Sequence, residues 1–162
     1  MLFKNFPVIP YKISKTESVA VQDIIRVVRL DPKLKNEPMF FTDYRIADNE
    51  TPEMISYKFY GTTAYHWVIM LLNEKFDPYE DFPKSDKILR KYCQKKYTDI
   101  LGVHHYIEPL YGRPTDEFNT EKIIVTNLEY EISENEKKRN IKILKQEVLS
   151  EFVGNYINTI ST

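Results

Sequence analysis

Residues 51–73 read TPEMISYKFYGTTAYHWVIMLLN, and this stretch decides the architecture. Thr51 is a good N-cap. Pro52 follows at the first helical position, where a missing N–H costs nothing, and Glu53 complements the helix dipole. Ile55 and Phe59 lie one turn apart and define a buried stripe. Gly61 is placed to end the helix in a left-handed conformation. Thr62 or Thr63 then caps a second helix carrying Tyr65, Trp67, Val68, Leu71 and Leu72, with Asn73 at its end. So short a connection predicts a helical hairpin. The run WVIMLL, residues 67–72, is apolar on every side, and such a helix must be covered on several sides, by the rest of the chain or by another protein.

Working outward, FFTDYRI (40–46) reads as a strand ending at the turn residues Asp48 and Asn49. Residues 1–15 alternate loosely around Pro7 and Pro10 and read as an extended arm. VAVQDIIRVVRL (19–30) fits neither the helical nor the strand period, and 31–38 is a loop between two prolines. On the other side, DPYEDFP (77–83) is an acidic turn-rich loop, and SDKILRKYCQKKY (85–97) has Ile88, Leu89 and Tyr92 at helical spacing with a basic far face. VHHYIE, within 98–122, predicts a strand. Strands around 123–132 and 141–144 are expected to form a hairpin across the charged turn NEKKR. QEVLSEFVGNYINTI closes as an amphipathic helix, with Val148, Leu149, Phe152, Val153, Tyr156 and Ile160 at steps of three and four. The expected class is α+β, in three stretches: an arm and linking segment (1–39), a central β-α-α module with its basic helix (40–97), and a hairpin with a terminal helix (98–162).

Composition narrows the function. Lys and Arg total 23 against 24 Asp and Glu, a formal charge of −1, which argues against a general nucleic-acid binder. One cysteine, Cys93, allows no internal disulfide. The opening MLFKNFPVIPYKI lacks the basic flank and apolar core of a signal peptide, and WVIMLL is far short of a membrane span. No nucleotide-binding, zinc-protease, nucleophile-elbow or EF-hand spacing occurs. Neighbouring His104 and His105 on a strand would point to opposite faces, a poor start for a metal site. Asp77, Glu80 and Asp81 read as turn chemistry rather than an acid/base pair. Neither cofactor, metal nor small-molecule substrate is expected. Aromatics at 14% with only 4 Gly tilt the reading toward protein interfaces.

A strand, a capped helix, a tight turn and an apolar helix resemble the LysM module, a small βααβ carbohydrate-binding fold. The match runs through DYRIADNETPEMISYKFYG and the second helix, about 40–76. A longer resemblance covers MLFKNFPVIPY, DIIRVV, YRIADNETPEMISYKFYG, YHWVIMLLNEKFDPYEDF and ENEKKRNIKILK. In these blocks the chain is similar to the LysM-like baseplate wedge proteins of contractile-tailed, T4-like bacteriophages. The resemblance implies a non-enzymatic virion component of the tail baseplate. Such a subunit joins wedges around the central hub in the bacterial cytoplasm and contacts other wedge subunits in a six-fold or multiple assembly, with no nucleic acid or membrane. A peptidoglycan- or chitooligosaccharide-binding protein is the alternative. On this reading Ile55, Phe59, Trp67, Val68, Leu71 and Leu72 form the core. Phe3, Phe6, Ile9 and Tyr11 of the arm, and Leu149, Phe152, Val153 and Tyr156 of the last helix, are the expected partner contacts, unless both segments fold back to complete one core.

Overall fold

The computed structural model describes residues 6–23 and 37–161 and is α+β. The strands are β1 (Val8–Lys12), β2 (Ser18–Gln22), β3 (Phe41–Arg45), β4 (Val103–Ile107), β5 (Pro114–Thr115), β6 (Ile123–Thr126) and β7 (Asn140–Leu144). The helices are α1 (Pro52–Tyr60), α2 (His66–Leu72), α3 (Asp86–Lys96), α4 (Asn127–Lys137) and α5 (Gln146–Ser161). The chain divides into two compact units. The first takes its described residues from Met1–Tyr44, Thr51–Phe76 and Lys142–Thr162; the second comprises Arg45–Glu50 and Asp77–Ile141.

The first unit is organised by the helical hairpin. The Thr51 side chain accepts from the Met54 N–H, and Gly61, at φ 70°, returns its N–H to Tyr57. That left-handed residue stops α1 and turns the chain. Buried Ser56 ties the turn down by donating to the Thr62 carbonyl at 2.6 Å. Of the two candidate caps it is Thr62 that acts, accepting from Ala64 N–H at the head of a 3₁₀ turn, Thr63–Tyr65, that leads into α2.

Asn73 closes α2 with three side-chain bonds. Its Nδ2 donates to the carbonyls of Ile69 and Lys142, each at 2.8 Å, and its Oδ1 accepts the Lys142 N–H at 2.8 Å. The amide therefore clasps β7 as a neighbouring strand would. β7 pairs with β3, so a strand, two helices and a strand close on one another although residues 73–139 separate α2 from the last member. Ile55, Val68, Ile69, Ile143 and Ile160 are fully buried in this unit. Each is worth about 1.5–3 kcal/mol relative to exposure. A satellite cluster joins Phe6, Tyr156 and Ile160, with Trp67 and Leu71 packed against it.

The second unit holds the three-stranded sheet β5-β4-β6 and the helix pair α3 and α4, whose core is Leu89, Cys93 and Leu128. Here the expected hairpin of strands 123–132 and 141–144 does not form. β6 stops at Thr126 and pairs with β4, while β7 pairs with β3. Between them Thr126 and Glu129 make a reciprocal capping box that starts α4. The inward face of α4 carries Leu128, Glu131 and Asn135, and two of these three are polar. Asn135 repeats the clasp seen at Asn73: its Oδ1 accepts from Lys84 N–H and its Nδ2 donates to Lys84 O.

Candidate assembly surface

β1 and β2 form an antiparallel hairpin across residues 13–17, where the Ser14 hydroxyl accepts from the N–H groups of Thr16 and Glu17. Its register pairs Val8 with Gln22, Ile9 with Val21, Pro10 with Ala20, Tyr11 with Val19 and Lys12 with Ser18. Opposed residues in an antiparallel pair point to the same face. One face therefore carries Ile9, Tyr11, Ile13, Val19 and Val21. The other carries Val8, Pro10, Lys12, Ser18, Ala20 and Gln22. All ten strand residues are exposed, Tyr11 and Ile13 by about 60% each. A two-stranded ribbon with an exposed apolar face is marginal by itself, and exposed apolar patches of this kind are candidates for interaction surfaces.

The other expected contact residues lie elsewhere. Phe6 and Tyr156 are buried against each other's cluster, and Leu149 is buried as well. Phe152 is half-buried and stacks on Tyr156 at a centroid distance of 6.2 Å; Val153 is half-buried too. Ile9 and Tyr11 are exposed, and Phe3 falls outside the described residues. Among the expected core residues Ile55, Val68 and Leu72 are buried, whereas Phe59, Trp67 and Leu71 are half-buried. Phe59 meets Tyr44 edge-on at 5.1 Å, and Trp67 lies 5.2 Å from Tyr156. Ile13, Val19 and Val21 were not among the expected contacts. Their signal was present as two alternating apolar runs around the polar SKTES (14–18).

A second exposed apolar group lies on the second unit: Leu110, Tyr111 and Phe118 in the loops around β5, with Ile123 and Ile124 on β6.

The polar clusters are structural in character. Glu131 is buried on α4 and accepts from Lys96 Nζ at 2.6 Å and from the Tyr97 hydroxyl at 2.7 Å. Burial pushes its carboxyl upward, but these bonds outweigh burial and hold it below the usual range. The same bond from Glu131 raises Lys96. Burial raises the Cys93 thiol, which disfavours the reactive thiolate. Asp77 Oδ1 accepts from the N–H groups of Tyr79 and Glu80, so the acidic loop is an Asx turn.

His104 and His105 depart from the strand expectation. A bulge between Val103 and His105 breaks the alternation, and the two Nδ1 atoms lie 2.9 Å apart. His104 also stacks on Tyr130 at 3.9 Å. No group of three or more metal-ligating side chains occurs among the described residues. None of their helices is long and apolar enough to cross a membrane.

The profile of base plate wedge protein 53 matches residues 1–114. The chain belongs to this family. The matched span takes in the β1–β2 hairpin, β3, α1, α2, α3 and β4. A curated relative, baseplate wedge protein gp53 of Enterobacteria phage T4, is 24% identical over 138 residues, 70% of each chain. A wedge-family protein is a component of the tail baseplate, and an exposed apolar hairpin inside the family-matched span suits a part that works by contact.

Proposed function

We propose that this wedge-family chain is a structural subunit that joins neighbouring baseplate wedges and holds them around the central hub through protein–protein contacts. It joins the wedge in the bacterial cytoplasm as part of an assembly of six-fold or multiple copy number. The observation that carries the reading is the apolar face of Ile9, Tyr11, Ile13, Val19 and Val21, exposed on a ribbon that no third strand joins among the described residues. The test is reconstitution. The other wedge subunits of the same phage are co-expressed with and without this chain, and particle size is followed by sedimentation. Closed multi-wedge particles are expected only when it is present; rings of the same size without it refute the joining role.

A second reading is favoured by one feature, the closure of β3, α1, α2 and β7 into a strand-helix-helix-strand group. That order supports a LysM-like module in which residues 77–139 are an insertion before the last strand. Binding to peptidoglycan or chitooligosaccharides is the activity such a module would carry. Saturable binding of the purified chain to peptidoglycan supports it, and failure to sediment with peptidoglycan removes it.

A further inference from the structure

The two edges of the β1–β2 ribbon differ. Asp23 N–H donates to Pro7 O at 2.8 Å and Ile13 N–H donates to Glu17 O at 3.0 Å. These bonds fix residues 7, 9, 11 and 13, in β1 and just beyond its ends, as the positions whose backbone groups face the second strand. Val8, Pro10 and Lys12 therefore turn their backbone groups to the outer edge of β1, and Ser18, Ala20 and Gln22 turn theirs to the outer edge of β2. On β1 that edge is blocked. Pro10 has no N–H in its middle, and Lys12 adds a charge. On β2 the edge is complete and uncharged, with three N–H and three C=O groups that meet no further strand among the described residues.

We infer that the β2 edge at Ser18, Ala20 and Gln22 receives one extended strand from another wedge subunit, which lengthens the ribbon to three strands. The inference rests on the wedge reading above and names its mode of contact. Main-chain pairing supplies affinity along the edge, and alternate side chains of the incoming strand continue the apolar face of Ile9, Tyr11, Val19 and Val21. A second copy of this chain is a poorer occupant. Two ribbons paired edge to edge would satisfy the backbone and still leave both apolar faces open. The family match to a baseplate wedge protein makes another wedge subunit the neighbour at hand to supply the strand.

The experiment uses the full-length chain and the co-expressed wedge subunits of the same phage. Residue-level hydrogen exchange compares the free chain with the assembled one. The amides of Ser18, Ala20 and Gln22 are expected to gain protection on assembly. Ala20→Pro removes one outward N–H and no hydrogen bond inside the ribbon. It should melt as the wild type does and bind the wedge about tenfold or more weakly. Assembly of Ala20→Pro at wild-type strength, or unchanged exchange at all three amides, overturns the inference while leaving the wedge reading standing. Should Ala20→Pro fail to fold, the exchange comparison on the wild type decides alone. A concentration-dependent homodimer that protects the same amides overturns it in favour of a second copy. A wild-type chain that binds none of the wedge subunits ends the wedge reading, and this inference with it.

Discussion

Replacing Asn73 with alanine tests whether the helical hairpin and β7 are held together by one side chain. Asn73 makes three bonds of 2.8 Å, to Ile69 O, Lys142 O and Lys142 N–H. A net hydrogen bond contributes about 1 kcal/mol, so an ordinary helix-end cap would cost about that much to lose. Three bonds set an upper figure near 3 kcal/mol. Lys142 is exposed, and water can replace part of what it loses, which brings the expected cost to about 2 kcal/mol. For a chain of this length that lowers the melting temperature by about 4–8 °C. Asn73→Asp separates the clasp from simple capping. It keeps the acceptor for Lys142 N–H but turns both donor bonds into a carboxylate facing carbonyls at a helix C-terminus. At pH 7 it should be at least as damaging as alanine. Thermal melts by circular dichroism, with urea titration for the free energy, give both values. A shift below about 2 °C for Asn73→Ala, or an aspartate variant close to wild type, refutes the clasp.

Phe6 and Tyr11 stand close in sequence and should behave oppositely. Phe6→Ala opens the cluster with Tyr156 and Ile160 and costs about 2–4 kcal/mol, whereas exposed Tyr11→Ala stays within about 0.5 kcal/mol in the free chain, both read by urea unfolding. The lone tryptophan, half-buried beside Tyr156, reports the same cluster: Trp67→Ala should cost about 2–4 kcal/mol, and an unchanged melt would place it outside the core. Glu131→Gln is expected to destabilise by about 1–2 kcal/mol at pH 7. Because the folded carboxyl titrates below its unfolded value, that contribution is present above the unfolded pKa and lost as pH falls through the folded one, so variant and wild type should converge in acid. Tyr60 runs the other way. Burial pushes its hydroxyl up to about 12, so stability should fall as pH rises from 10 toward 12, and Tyr60→Phe should flatten that fall.

The parts legible in the sequence were those written in neighbouring residues. Thr51, Pro52 and Gly61 carry the start and stop of α1 within ten positions, and the structure uses all three. The last helix announced itself by spacing alone. What failed was of two kinds. In α4, Leu128, Tyr130 and Ile132 alternate as in a strand, while the face turned inward holds Glu131 and Asn135, whose burial depends on Lys96, Tyr97 and Lys84 far away in the chain. A hydrophobic period cannot register a polar inner face, though the Thr126–Glu129 box was there to be read. The second kind is pairing. Nothing near residue 140 says that β7 belongs beside β3. At the candidate surface, Ile9 and Tyr11 could be picked out by composition. The register that sets them on one face with Val19 and Val21 depended on recognising a turn in SKTES, which has neither Gly nor Pro.

The late arrival of β7 also bears on how the protein is made. Its partner strand β3 and the two helices leave the ribosome early, yet they remain without their closing strand, the Asn73 clasp and the last helix until residues 140–161 have been synthesised. Residues 77–139 can collapse on their own α3–α4 core during that wait. A chain cut short before β7 therefore lacks the partner of β3 and the strand that Asn73 clasps, which leaves a free strand edge prone to aggregation. Synthesis of β7 and the last helix is thus the step that closes the first unit.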